Sequence, residues 1–162
     1  MKKLLSVSLI IGLLLLSLAC DSKQPQQTTT ALAVESASKE LPEAIIFGQK
    51  GKVVIVLLGI EGCPQTKIAT EVLARMSQDC PADLVLVRLD VPVQADSPFK
   101  PLANWTYNYR YAVDTDRAAA DRLGFFYYPT LYILDRDGEV RYSGSCDEAK
   151  LKAMVSEIQL EK

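Results

Sequence analysis

Residues 53–66 read VVIVLLGIEGCPQT, and this stretch decides the fold. The run from Lys52 to Gly59 consists mainly of β-branched residues and leucine, which is typical of a central strand covered on both faces. Cys63 and Pro64 follow, and proline is favoured in the first turn of a helix because its missing N–H group is not needed there. The stretch therefore predicts a buried strand that leads into a helix, with a cysteine at the junction.

The predicted helix runs from Pro64 to about Ser77 and has one apolar face. Leu84–Leu89 is a second continuous apolar run and predicts a second buried strand. A strand, a helix and a strand in this order predict a parallel, right-handed βαβ unit. The residues expected on the buried face of the helix are Ile68, Val72, Leu73 and Met76.

A short helix is predicted further along the chain, from about Asp116 to Leu123. Asp114 or Thr115 is expected to cap its first turn, because short polar side chains accept hydrogen bonds from free helical N–H groups. Gly124 is expected to end it.

A hairpin and a final helix complete the pattern. Residues 130–135 and 139–143 are predicted strands joined by a turn at Asp137 and Gly138. A weak first strand is expected near residues 44–47. Residues 147–160 predict a helix docked on the sheet, because apolar residues recur at helical spacing, namely Leu151, Met154, Val155 and Ile158.

Residues 91–112 are predicted as an insertion between the second buried strand and the short helix. They contain three prolines and four aromatic residues at alternate positions, Trp105, Tyr107, Tyr109 and Tyr111. This spacing has two interpretations: the aromatic residues line a substrate groove or lid, or they belong to a half-buried extended segment.

The N-terminal segment predicts export and lipid attachment. Residues 1–20 contain two lysines, an apolar run over 4–18, and Ala19 before Cys20, which is the layout of a bacterial signal peptide and resembles a lipobox. Cys20 is therefore the expected lipidation site, and its acyl chains would supply the multiple hydrocarbon chains that stable anchoring needs. Residues 21–41, rich in Gln, Thr, Ser and Ala, predict a flexible tether, and residues 42–162 form the predicted domain.

Charge and composition exclude several functions. Removal of the two N-terminal lysines leaves 16 basic against 20 acidic side chains, a net charge of −4, which argues against nucleic-acid binding. The chain of 162 residues contains no histidine, so catalysis with a histidine base and histidine-ligated metal centres are excluded. No metal or cofactor is expected.

The remaining cysteines, Cys63, Cys80 and Cys146, are odd in number, which indicates at least one free or transiently paired thiol in an exported protein. Cys63 is the candidate nucleophile, because a helix N-terminus favours the thiolate over the thiol. The hydroxyl of Thr66, three residues on, is placed to donate a hydrogen bond to the same sulfur.

The order of these elements, GCPQT at residues 62–66 and YYPT at 127–130 together resemble the thioredoxin-like superfamily. The stretch AADRLGFFYYPTLYILDRDGEVRYSG is similar to the membrane-tethered thiol-disulfide oxidoreductases and redoxins of the bacterial cell envelope. This resemblance implies a three-layer α/β fold, with a central mixed β-sheet and helices on both faces. It also implies a cis peptide bond at Pro129 and a substrate groove that is formed by Tyr128, Pro129, Thr130 and Gly144.

The chain departs from the family's pattern at three positions. Thr66 stands where the resolving cysteine belongs, Leu57 stands where thioredoxins carry an acidic residue, and Gly62 stands where an aromatic residue precedes the cysteine. A mixed disulfide on Cys63 must therefore be resolved by an external thiol or by Cys146, the candidate resolving cysteine. Cys80 is expected to lie too far along the helix.

Three functions follow from the resemblance. The first is thiol-disulfide exchange through the Cys63 thiolate, with protein disulfide or thiol clients and an external reducing thiol as partners. The chain would then be anchored by lipid in the bacterial cell envelope and face the periplasm or extracytoplasmic space. The alternatives are a redox-inactive binding module and a peroxiredoxin-like thiol peroxidase, although Ile60 occupies the position where peroxiredoxins carry threonine.

Overall fold

A computed structural model describes residues 41–93, 102 and 105–161. The predicted signal peptide with Cys20, and all of the predicted tether except Leu41, lie outside these residues. No helix within the described part of the chain is both long enough and apolar enough to cross a membrane.

The centre of the structure is a mixed five-stranded β-sheet. The strands are β1 (Val53–Gly59), β2 (Leu84–Asp90), β3 (Arg110–Val113), β4 (Thr130–Leu134) and β5 (Val140–Gly144). Strand β1 is the middle strand, because it pairs in parallel with β2 on one side and antiparallel with β4 on the other. The strand order is β3-β2-β1-β4-β5, with β2 and β3 parallel and β4 and β5 antiparallel.

Helices cover both faces of the sheet and confirm the predicted three-layer α/β fold. The helices are α1 (Pro42–Phe47), α2 (Pro64–Met76), α3 (Ala118–Arg122) and α4 (Glu148–Leu160). A short 3-10 turn, Ser77–Asp79, follows α2. One apolar cluster contains residues of one sheet face together with α1 and α3, and a second contains residues of the opposite sheet face together with α2 and α4.

The prediction of a first strand near residues 44–47 is wrong, because this segment is helix α1. Pro42 occupies its first turn and Gly48 follows its end. Ile45 and Ile46 are both buried between α1 and the sheet. A short apolar run fits a strand or a helix equally well by periodicity, and here the flanking proline and glycine were the better indicators.

The prediction of an insertion over 91–112 is wrong for its last residues. Residues 110–113 form β3, which pairs with the end of β2 and is the edge strand of the sheet. Only one of the four β3 residues, Ala112, is fully buried. A short, half-exposed edge strand has a weak apolar pattern, and for this reason the sequence did not indicate it.

Three of the four residues predicted on the buried face of α2, namely Val72, Leu73 and Met76, are buried. The prediction is wrong for Ile68, which is 58% exposed, and Ala69 lies on the buried face in its place. The apolar face predicted for α4 is confirmed, since Leu151, Val155 and Ile158 are buried against the same sheet face.

The predicted hairpin and the predicted cap of the short helix are confirmed. Gly138 has a φ of 85° in the turn between β4 and β5, a value that favours glycine. The Asp114 carboxylate accepts hydrogen bonds from the N–H groups of Ala119 and Ala120 at the start of α3. Gly124, with a φ of 69°, follows its end.

Replacing Leu73 by alanine is expected to lower the free energy of unfolding by about 2–5 kcal/mol, because a fully buried side chain leaves a cavity. Ile68→Ala on the same helix is the matched control, and we expect it to change that free energy by less than about 0.5 kcal/mol. Urea unfolding of the two variants measures both values. An equally large loss in the control would show that Ile68 is buried after all.

Candidate active site

The candidate site forms where β1 ends and α2 begins. The chain turns through Ile60, Glu61 and Gly62, and the N–H group of Cys63 donates a hydrogen bond to the Ile60 carbonyl at 3.4 Å. Gly62 has a φ of 80°, which glycine adopts without steric cost. Cys63 is thereby placed at the N-cap of α2, and Pro64 occupies the first turn as predicted.

Helix α2 approaches the end of β1 very closely at Thr66. The Thr66 side chain is buried, and a Cβ atom on Gly59 would collide with its methyl group. The Ile60 N–H group also donates to the Thr66 hydroxyl at 3.5 Å. Gly59 therefore allows Thr66 to lie directly against the strand, three residues after the cysteine.

The thiol of Cys63 is partly exposed and lies among helical donors. Cys63 occupies the N-cap position of α2, but none of the described residues gives its sulfur a capping hydrogen bond. The Thr66 N–H group contributes most to lowering the pKa of Cys63, followed by the Thr66 hydroxyl. These donors outweigh the opposing effect of partial burial and favour the nucleophilic thiolate.

The Tyr128–Pro129 peptide bond is cis, as the resemblance implies. Thr130 pairs with Leu58 near the end of β1. Pro129 therefore lies at the end of the sheet where β1 leads into the turn before Cys63. The proline and the cysteine, far apart in the sequence, are thus brought to the same end of the sheet.

Two residues of the predicted groove anchor the proline loop to its surroundings. The Tyr128 hydroxyl donates to the Val91 carbonyl at 3.0 Å, and its ring packs with the cluster on the α1 and α3 face. Thr130 is buried, and its hydroxyl donates to the Tyr127 carbonyl at 2.6 Å. Both side chains are therefore engaged in holding the loop.

The exposed apolar surface of this loop comes from two residues that the sequence analysis did not single out. Phe126 is 91% exposed and Tyr127 is 58% exposed, immediately before the cis-proline. The FFYY run ahead of Pro129 was the available signal, since consecutive aromatic residues in a loop cannot all be buried.

Gly144 and Cys146 lie at the same end of the sheet, because β5 ends where β4 begins. A Cβ atom on Gly144 would lie 2.8 Å from the Tyr142 hydroxyl. The Cys146 thiol lies 3.9 Å from the Ala69 carbonyl of α2, and burial raises its pKa to about 11. Ala69 is about 9 Å along the helix from Cys63, so a Cys63–Cys146 disulfide requires the Cys146 thiol to leave this position.

Cys80 lies beyond the far end of α2, after the 3-10 turn. Its thiol donates to the Leu84 carbonyl at 3.4 Å, and burial raises its pKa. Cys63, Cys80 and Cys146 are all free thiols in the part of the chain that the structure describes. Only the first of them combines partial exposure with a lowered pKa.

A buried ion pair lies beneath the first turns of α2. Arg88 and Asp90, on β2, face the α2 side of the sheet and bind each other through two hydrogen bonds of 2.8 and 3.2 Å. The aromatic residues of 105–111 contact one another beside this pair, and the Trp105 ring centroid is 5.7 Å from the Arg88 guanidinium carbon. Leu57, at the position that is acidic in thioredoxins, is fully buried and apolar.

Comparison with known proteins gives the class of fold. No protein-family model matches the sequence, and no curated protein matches it either. The structure is similar to a thiol-disulfide isomerase from Corynebacterium glutamicum, with a TM-score of 0.61 and 16% identity over 76% of this chain and 89% of that one.

Two further solved structures are similar. The exposed lipoprotein thioredoxin of Streptococcus pneumoniae has a TM-score of 0.59 and 18% identity, covering 68% of this chain and 87% of its own. StoA of Bacillus subtilis has a TM-score of 0.54 and 17% identity, covering 64% and 82% respectively. At these identities the likeness establishes the fold, and this chain has the thioredoxin-like fold.

At pH 7 Cys63 is expected to react with iodoacetamide much faster than Cys80 or Cys146. Its folded-state pKa is lowered, so the thiolate persists to lower pH, whereas a thiol with a pKa of about 11 is only about one ten-thousandth thiolate at pH 7. Mass spectrometry of the native protein over a range of pH measures each rate. In denaturant the three rates should converge, and a rate difference that survives unfolding would rule out a structural cause.

Proposed function

We propose that this chain is a cell-envelope lipoprotein whose thioredoxin-like domain carries out thiol-disulfide exchange through the Cys63 thiolate. The observation that carries this proposal is the position of Cys63. It is a partly exposed thiol with a lowered pKa, at a helix N-terminus and at the same end of the sheet as the cis-proline.

The first step is attack of the Cys63 thiolate on one sulfur of a client disulfide. A sulfur–sulfur bond forms between Cys63 and the client, the client's own bond breaks, and the second client sulfur leaves as a thiolate. The exposed Phe126 and Tyr127 supply apolar surface beside the loop on which an extended client segment can lie.

The second step is attack of an external thiolate on the client sulfur of this mixed disulfide. Cys63 leaves as a thiolate, and the client retains a disulfide to the external thiol, so the net reaction is exchange without loss or gain of electrons. We favour an external thiol over Cys146, because the Cys146 thiol is held against α2 and its pKa is raised.

Incubation of the reduced full-length protein with oxidised glutathione is expected to add one glutathionyl group at Cys63. The group should be retained until reduced glutathione or another small thiol is added. Cys63→Ser should lose the modification entirely, and Cys146→Ser should retain both its formation and its release. Mass spectrometry of trapped samples measures the adduct.

Two results would contradict parts of this proposal. An absent adduct on Cys63 would exclude exchange. An adduct that is released without external thiol, with formation of a Cys63–Cys146 disulfide, would establish Cys146 as the resolving residue.

A second candidate, a redox-inactive binding module, is favoured by the nearly complete exposure of Phe126. Under that function Cys63→Ser leaves partner binding intact, whereas Phe126→Ala weakens it. The peroxidase alternative has no comparable support from the described residues.

Membrane attachment is proposed from the sequence of residues 1–20, which resembles a lipoprotein signal ending at Cys20. In a bacterial host, the mature protein is expected to begin at Cys20, to carry acyl chains there, and to partition into the detergent phase. Cys20→Ala should abolish both acylation and processing at that position. A processed but unacylated protein in the aqueous phase would overturn the anchor and leave export standing, and an uncleaved segment would overturn both.

A further inference from the structure

The buried polar network beneath α2 is connected to the candidate nucleophile through Thr70. The Thr70 hydroxyl accepts a hydrogen bond from Arg88 at 3.1 Å and donates one to the Thr66 carbonyl at 2.8 Å. The N–H group and the hydroxyl of Thr66 are in turn the groups that contribute most to lowering the pKa of Cys63. Continuous hydrogen bonds therefore run from Asp90 through Arg88 and Thr70 to the residue that stabilises the thiolate.

Three contacts hold Thr66 in place. Its methyl group lies against Gly59, its hydroxyl accepts from the Ile60 N–H group, and its carbonyl accepts from the Thr70 hydroxyl. Its N–H group and its hydroxyl are the groups that lower the pKa of Cys63 most. Contacts that hold Thr66 in place also hold these two groups before a charge develops on sulfur.

Stability alone does not account for a charged pair at this position. Arg88 and Asp90 are 6% and 0% exposed, and an ion pair buried to this degree is often no more stabilising than apolar residues of the same size. The guanidinium group uses one edge to bind Asp90 and its other nitrogen to bind Thr70. We infer that the pair serves to orient the Arg88 guanidinium group toward Thr70 rather than to add stability.

We propose that Thr70 and Arg88 are positioning residues for Cys63, which hold the first turn of α2 so that the Thr66 donors stay directed at the sulfur. This inference rests on the proposed function of Cys63. Asp90 fixes the guanidinium of Arg88, and Tyr111 on β3 donates to Asp90 at 3.1 Å and so fixes the carboxylate.

The charged and titratable groups around this network come from several elements. Arg88 and Asp90 lie on β2, Tyr111 lies on β3, and Glu61 in the turn before α2 acts on the Asp90 carboxylate. Tyr107 and Tyr109, which precede β3, interact with the Arg88 charge and with Glu71 on α2, and Tyr128 interacts with Asp90. Substitutions that test the positioning role must therefore leave these charges unchanged.

The test is the pH midpoint of Cys63 alkylation in the full-length protein, measured by mass spectrometry. Thr70→Val keeps the shape of the side chain and removes the hydroxyl, and we expect it to raise the midpoint by about half a pH unit. The alkylation rate below the midpoint should then fall about threefold, since rate follows the thiolate fraction. Thr70→Ser restores a hydroxyl and is expected to restore the original midpoint.

Ser156→Ala is the matched control. Ser156 on α4 donates to the carbonyl four residues earlier at 2.9 Å, the same local bond that Thr70 makes, and it is exposed. Its loss should leave the midpoint unchanged. Arg88→Lys keeps the charge but cannot bind Asp90 and Thr70 together in the same way, so it should raise the midpoint as Thr70→Val does. If Thr70→Val does not fold, the midpoint of Arg88→Lys decides whether the positioning role holds.

The outcomes separate this inference from the proposed function. If Cys63 of the unaltered protein titrates below an ordinary thiol and neither substitution moves the midpoint, the positioning role is wrong and the exchange function stands. If the unaltered protein titrates at or above the ordinary value and both substitutions still raise the midpoint, the positioning role stands and the exchange function fails. Midpoints raised equally by Ser156→Ala would overturn the positioning role.

Discussion

The contact between Thr66 and Gly59 is the constraint on which the rest of this site depends. It fixes the first turn of α2 against the end of β1, because any side chain on Gly59 would push the helix away. Once the helix is fixed there, its free N–H groups point at the position of Cys63. The lowered pKa of the thiol is therefore a consequence of backbone packing as well as of residue type.

The same contact explains why polar side chains are tolerated under the helix. Close packing of the first turn brings Thr66 and Thr70 near the end of β2, where Arg88 and Asp90 are paired. A buried polar group is costly unless it is hydrogen-bonded, and among the described residues no buried side-chain nitrogen or oxygen lacks a partner. The aromatic residues of 105–111 complete this enclosure: the Tyr109 hydroxyl donates to the Thr70 carbonyl at 3.1 Å.

Sequence reasoning identified the fold because its strongest signals coincide with the most buried elements. All seven residues of β1 and all seven of β2 are buried, and such runs are distinctive without any knowledge of neighbours. It missed β3, because a half-exposed edge strand has a weak apolar pattern, and it mistook α1 for a strand, because a short apolar run fits both. It also placed Ile68 on the buried face, although this residue is exposed. The proximity of Cys63 and Thr66 could be predicted from their spacing at the start of a helix. The hydrogen bond from Arg88 to Thr70 joins β2 to α2, and no local sequence pattern predicts such a tertiary contact.

Threonine at position 66 has two chemical consequences that act together. It leaves the first turn of α2 without a second thiol, and its N–H group and hydroxyl lower the pKa of Cys63. A thiol of lower pKa is a weaker intrinsic nucleophile but a better leaving group in disulfide exchange. In the proposed exchange, the donors that favour the attacking thiolate therefore also ease its departure when an external thiol attacks the client sulfur. The proposed release by a small external thiol thus fits this site better than reduction by a second thiol within the domain.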